Sequence, residues 1–224
     1  MSSWQDSGKG SRVESILREI YQGILEGRHK EVQASVAAAI DAGIAPKQIL
    51  DQSMVAAMAQ VGHLFEIGEF YLPEMLVSAR AMQTGLIILK PHLQEANIEY
   101  AGRVAIGTVK GDLHDIGKNL VMMMLEGAGF EIIDLGTDVP PEKFVAAVQA
   151  GGVDILALSA LLSTTMPNMK ATIDALKEAG LREKIKIMVG GAPITEAFSA
   201  QIGADGTAAD ASQAVTLAKS LMRS

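Results

Sequence analysis

Val109-Lys110-Gly111-Asp112-Leu113-His114-Asp115-Ile116-Gly117-Lys118-Asn119 closes the apolar run Val104 to Val109 and leads into the helical stripe Leu120 to Leu125. An apolar run, a glycine-containing loop and a helical stripe, in that order, read as a parallel strand feeding a loop and a covering helix. Within the loop, a carboxylate stands two residues before His114 and a glycine three residues after it. A carboxylate bonded to one ring nitrogen fixes the histidine tautomer and makes the other nitrogen more basic, which is what a metal-ligating histidine needs. Gly117 lets a flat ligand come close to the backbone. The plainer alternative is a glycine-adapted turn in which Asp115 caps the next helix and His114 is incidental. That alternative assigns no role to Asp112.

Outward from this loop the alternation repeats. Ile132 to Leu135 precedes Phe144 to Val148, Ile155 to Leu158 precedes Met169 to Leu176, and Ile185 to Val189 precedes a weaker helix near Thr195 to Ile202. A faint fifth strand around Ala204 to Thr207 comes before a helix from about Ala211 to Met222. Continuous apolar strands separated by helices require a sheet covered on both faces. Residues 103–224 are therefore expected to form a flavodoxin-like, doubly wound five-stranded parallel sheet, with its ligand site at the carboxyl ends of the strands near the switch point.

Residues 1–90 carry a different period. Ser11 and Glu14 have capping-box spacing, and Val13, Ile16, Leu17, Ile20, Ile24 and Leu25 follow at helical intervals, predicting a helix from about Arg12 to Glu26. Val32, Val36 and Ile40 mark a second helix ending at Gly43. Pro46 opens a third, which carries Ile49, Leu50, Met54, Met58, Val61, Leu64 and Phe65 to Gly68, and Leu72 to about Leu89 reads as a fourth. Short connections between them predict a four-helix bundle. Pro91 to Gly102 has no clear period and reads as a linker between the two halves.

Composition narrows the chemistry. The absence of cysteine removes disulfides, thiolate nucleophiles, Cys-type zinc sites and iron-sulfur clusters, so a metal has to arrive on histidine, carboxylate or a prosthetic group. A net charge of -7 weighs against nucleic-acid binding, which depends on neutralising phosphates. No apolar run approaches the roughly 20 residues that cross a bilayer, and the polar N-terminus lacks the apolar core of a secretory signal. A cytoplasmic protein with small-molecule or protein partners, and with neither nucleic-acid nor membrane contacts, is expected.

Asp112-Leu113-His114-Asp115-Ile116-Gly117, Ser159-Ala160-Leu161 after the third strand and Gly190-Gly191 after the fourth together resemble the cobalamin-binding domain of methionine synthase and the corrinoid methyl-carrier proteins of multi-component methyltransferase systems. Val61 to Met75 with Ser78-Ala79 is similar to the four-helix cap of the same family. The resemblance implies a base-off, His-on cobalamin in which His114 is the lower axial ligand of cobalt. Asp112 would stand behind it, and Thr165 would complete the axial-ligand relay. Leu113, Asp115, Ile116 and Gly117 would bound the cofactor. Ser159, Leu161 and Ser163 would lie beside the buried nucleotide tail, and Gly190 and Gly191 would leave it room. In the cap, Phe70, Tyr71, Leu72 and Met75 would shield a cobalt-bound methyl group. On residue chemistry alone, the Ser and Thr positions also suit a helix cap, and the glycine pair suits a plain loop.

The function so implied is that of a non-enzymatic carrier in a methyltransferase or demethylase system. It would take a methyl group, as methylcobalamin, from a substrate:corrinoid methyltransferase and yield it to an acceptor methyltransferase using tetrahydrofolate or a thiol. A reductive activator protein would be the third partner. The donor, a phenyl methyl ether or a methylamine, would be chosen by the first partner. The resemblance also implies that His114 holds methylated cobalt, leaves the reduced metal and then takes a proton shared with Asp112. One alternative is the cobalamin-binding subunit of an adenosylcobalamin mutase, against which the cap argues. Another is a cobalamin-dependent sensor or regulator, against which the absence of a basic DNA-binding segment argues. The plainest is a flavodoxin-like protein with no cobalamin.

Overall fold

A computed structural model describes residues 6–96 and 100–223. The chain divides into two compact units, residues 1–99 with 127–129, and residues 100–126 with 130–224.

The first unit is helical: α1 (Asp6–Leu25), α2 (His29–Asp41), α3 (Pro46–Ile49), a π-helical segment (Leu50–Val55), α4 (Ala56–Glu66) and α5 (Leu72–Glu95). The expected third helix is present from Pro46 onward, with a wide π turn in its middle where the buried Ser53 hydroxyl donates to Ile49 O at 2.5 Å. Ile20, Ile24, Val32, Val36, Met54, Met75, Met82 and Leu89 are fully buried, following the apolar stripes that predicted the helices.

Two boundaries differ from expectation. The first helix begins at Asp6, so Ser11 and Glu14 lie inside it and form no start signal. No proline interrupts Asp6 to Ser11, and a helix already nucleated by a packed turn propagates cheaply. At the other end, α5 runs through Pro91 to Glu95 instead of yielding to a linker at Pro91. Proline removes one backbone bond, but the buried Leu89 and Leu93 on either side hold the turn in place by packing. Residues 97–99 of the expected linker lie outside the described residues.

In the second unit, strands and helices alternate: β1 (Arg103–Val109), α6 (Ile116–Gly127), β2 (Glu131–Val139), α7 (Pro141–Gln149), β3 (Ile155–Ser159), α8 (Pro167–Glu178), a 3-10 turn (Arg182–Lys184), β4 (Lys186–Gly190), α9 (Glu196–Ile202), β5 (Gly206–Ala208) and α10 (Ala211–Leu221). The strands are ordered β2-β1-β3-β4-β5 and every pair is parallel. From β1 the chain moves outward to the edge strand β2, then crosses back to β3 on the other side. Their adjacent carboxyl ends, with Thr108 opposite Ser159, form the switch point where such folds place ligands. Val109, Phe144, Leu156, Leu158, Met169 and Ile173 belong to one buried cluster under this edge.

β2 is longer than the apolar run Ile132 to Leu135 suggested. Its second half, Gly136 to Val139, pairs with β1 through a shifted register: two steps on β1, Gly107 to Val109, match three on β2, Gly136 to Val139. That extra residue is a β-bulge, which turns the strand end and re-aims its side chains.

Candidate functional site

The loop after β1 is tied down on several sides. Asp112 N donates to Val109 O at 3.1 Å, closing a turn that requires Gly111 at φ 81. The Thr108 hydroxyl donates to His114 O at 2.9 Å, and Asn168 Nδ2 at the start of α8 donates to Lys110 O at 2.8 Å. From β2, Asp138 N donates to Asp112 O at 3.0 Å, while the Asp138 carboxylate accepts from Gly111 N at 2.7 Å.

At the centre lies Asp112, with no solvent exposure. Its Oδ1 accepts from His114 N at 3.1 Å and lies 2.7 Å from His114 Nδ1. Its Oδ2 accepts from Thr165 Oγ1 at 2.7 Å, Leu161 N at 2.8 Å and Leu162 N at 3.3 Å. Burial opposes the charge on Asp112, but the Thr165 hydroxyl, the Leu161 amide and the His114 ring and amide outweigh it and hold the carboxyl well below the usual carboxylate range. An ionised carboxylate can only accept, so the Nδ1 atom facing it carries the imidazole proton. Nε2 is left with its lone pair on a side chain that is 51% exposed. The Thr165 hydroxyl has a second acceptor, Leu162 O, at 2.8 Å.

Around His114 the surface is apolar. Leu113 and Ile116 are each 73% exposed, and Leu161 and Leu162 stand beyond β3, also exposed. Four large hydrophobic side chains open to water at the carboxyl edge of a sheet are the kind of apolar surface a ligand site uses. Asp115, read by the plainer alternative as a cap, accepts from Asn119 Nδ2 at 3.0 Å. At Gly117 a Cβ would meet no atom within 4 Å, so the missing side chain leaves open space. The glycine pair divides into two roles. A Cβ on Gly191 would lie 1.8 Å from Ala160 O, so the fold itself demands that glycine, whereas a Cβ on Gly190 would touch only Ala208 O at 3.9 Å. Ser159 is half-buried and Ser163 exposed.

The structure thus brings Asp112, His114, Thr165 and the Leu161 amide into one bonded group. Phe70, Tyr71, Leu72 and Met75 belong to the helical unit. There Tyr71 is 66% exposed and Leu72 40% exposed, whereas Met75 is wholly buried and therefore an interior residue of the bundle. Glu74 accepts from Tyr71 N at 3.0 Å and fixes the start of α5.

Sequence patterns did not single out three contributors. Leu162 donates to Asp112, and only its place beside Leu161 hints at this. Lys118 is buried, with Nζ 2.7 Å from Asp134 Oδ1, 2.9 Å from Asn119 Oδ1 and 3.2 Å from Met122 Sδ, anchoring the first turn of α6 to β2. Asp138 clamps the loop from the bulged strand.

Among the described residues, no group of three or more His, Cys, Asp or Glu is arranged to hold a metal ion. His114 Nε2 is a single donor, which suits a metal that brings its other ligands with it, as the metal of a macrocyclic cofactor does. The apolar surface and the open space at Gly117 suit the flat face of such a group.

Two family models, both described as a B12 binding domain, match the chain, one over residues 102–216 and one over residues 16–90. A dimethylamine corrinoid protein of Methanosarcina acetivorans is 40% identical over 210 residues, covering 94% of this chain and 98% of the relative. A corrinoid protein of Desulfitobacterium hafniense is 40% identical over 213 residues, covering 94% and 99%. Among solved structures, the methanol:cobalamin methyltransferase complex of Methanosarcina barkeri contains a chain matching at TM-score 0.82 and 32% identity, with 93% of this chain and 80% of that chain covered. A cobalamin-binding protein from Desulfitobacterium hafniense matches at TM-score 0.75 and 30% identity, covering 92% and 98%. Among the described residues, no helix is long and apolar enough to cross a membrane.

Proposed function

From the premise that the chain belongs to the B12-binding family of corrinoid proteins, we propose that it carries a methyl group on a bound cobalamin between two methyltransferases in the cytoplasm. The observation that carries this reading is the fully buried Asp112 holding Nδ1 of the half-exposed His114 at 2.7 Å.

When bound, the corrinoid supplies a cobalt that accepts a methyl group and gives it up again. The protein does the rest. His114 would hold the group through Nε2, and Asp112 would keep the ring in the one tautomer that leaves Nε2 unprotonated. Thr165 and the Leu161 and Leu162 amides keep Asp112 ionised by donating to Oδ2. Leu113, Ile116, Leu161 and Leu162 would exclude water from the bound group, while Gly117 and Gly190 would leave space for its nucleotide tail beside Ser159 and Ser163. In the helical unit, Phe70, Tyr71, Leu72 and Met75 would shield the transferred group from water.

We take the donor to be a methylamine, in keeping with relatives named for dimethylamine. The partners are then an amine-directed methyltransferase, an acceptor methyltransferase using a thiol or tetrahydrofolate, and a reductive activator. Reconstitution of the purified protein with cobalamin tests the reading. A bound corrinoid with the absorption spectrum of a base-off, His-ligated form is expected, and a protein that takes up none overturns it.

A further inference from the structure

Asp138 stands out on two counts. Among the described residues it is the non-glycine residue with positive φ, at 51°, a region that L-residues enter at a cost, and Asp and Asn more readily than most. It also makes two separate bonds to the His114 loop: its N–H to Asp112 O at 3.0 Å and its carboxylate to Gly111 N at 2.7 Å. The β2 bulge explains how both are possible. The additional residue between Gly136 and Val139 leaves the β1 ladder and turns Asp138 toward the loop. Strain of this kind persists where its surroundings over-determine it, and here the two bonds do so.

The geometry points to Asp138 as a positioning residue for His114, clamping Gly111 and Asp112 from the bulged edge strand so that the loop is in its ligating arrangement before any cofactor arrives. The clamp acts on Asp112 itself and on Gly111 before it, and Lys118 anchors the other end of the same segment to the same strand through Asp134. A loop fixed in advance spends less of the binding free energy on ordering. For what the held histidine does, the inference rests on the cobalamin reading; for the clamp itself it does not.

The test compares Asp138→Ala, which removes the carboxylate, with Asp138→Asn, which keeps an acceptor and a side chain tolerant of positive φ. In cofactor-free protein, Asp138→Ala should speed amide exchange at Gly111 at least about tenfold, the factor one charge-assisted hydrogen bond supplies. It should also replace the single Nδ1-protonated form of His114, read from the ring nitrogen shifts, by a mixture of tautomers. Asp138→Asn should stay close to wild type in both. In the cobalamin-loaded protein, Asp138→Ala should lower the His-ligated fraction in the absorption spectrum. Native Gly111 exchange and a native imidazole spectrum in Asp138→Ala would overturn the clamp. Should that variant not fold, Asp138→Gly, which also relieves the strain, serves in its place with the same expectations. Wild-type protein that takes up no cobalamin would sink the functional reading, while the cofactor-free measurements would still decide the clamp.

Discussion

Thr165 Oγ1 and Asp112 Oδ2 lie 2.7 Å apart although 53 residues separate them in the chain. Only the crossover that sets β3 beside β1 brings them together, so the site exists because the sheet reverses its winding direction there. The loop after one strand supplies the histidine and its carboxylate; the loop after the other supplies the donors that keep the carboxylate charged.

That dependence gives a pH prediction. Asp112 has its carboxyl pKa depressed in the folded state, so its contribution to stability is present above the ordinary carboxylate pKa and is lost as the pH falls below it. Cofactor-free wild type should therefore lose stability progressively below about pH 4. Asp112→Asn should be less stable by about 2–4 kcal/mol at pH 7, where several donors lose a charged acceptor. The gap between the two should narrow toward pH 2.5. Urea unfolding across that range checks both statements, and a constant gap would contradict them.

Two glycine substitutions should separate fold from ligand. Gly191→Ala drives a Cβ into Ala160 O and should cost more than about 3 kcal/mol or prevent folding. Gly117→Ala meets nothing within 4 Å and sits in the first turn of α6, so thermal stability should hold or rise by about 0.5–1 kcal/mol. The same variant should take up cobalamin more weakly, because the added methyl group fills space the ligand needs. Calorimetric unfolding and equilibrium titration with cobalamin provide the two readouts.

Lys118 should tolerate isosteric replacement better than truncation. Asp134, its partner, keeps a 43% exposed side chain and can be solvated when the ammonium is removed. Lys118→Met, which retains the buried stem, should cost about 1–2 kcal/mol, and Lys118→Ala about 2–4 kcal/mol by adding a cavity. Denaturant midpoints of the two variants should fall in that order.

His114→Ala should leave the fold unchanged, since the ring is half-exposed. Cobalamin should still bind. Its absorption spectrum and midpoint potential should both move, and an unaltered spectrum would refute ligation by His114.

Tyr71→Ala should likewise be neutral for stability, within about 0.5 kcal/mol, because the side chain is 66% exposed. Photolysis of bound methylcobalamin should become faster. A rate equal to wild type would remove Tyr71 from the shielding surface.

Much of this was legible in the sequence, and the reasons differ by residue. The strands β1, β3 and β4 announced themselves because they are buried on both faces and so read as unbroken apolar runs. His114, Asp112 and Thr165 were found through motif spacing and family resemblance. Asp138 was invisible because its role comes from a bulge, and a bulge in an edge strand leaves no periodic trace. Pro91 misled because a proline signal is local, whereas the packing of Leu89 and Leu93 that overrides it is not. Met75 carries the apolar character expected of a cap lining, and its full burial is a property that a one-dimensional pattern does not resolve.

Thr165 has one hydroxyl proton and two acceptors, Asp112 Oδ2 at 2.7 Å and Leu162 O at 2.8 Å. Only one can receive it at a time, so the hydroxyl is a rotor with two settings. Turned to Asp112, it joins the donors on the carboxylate; turned to Leu162, it leaves Oδ2 to the Leu161 and Leu162 amides. A torsion of this kind needs no backbone motion, so the set of donors around Asp112 can change far faster than any partner protein can dock or leave.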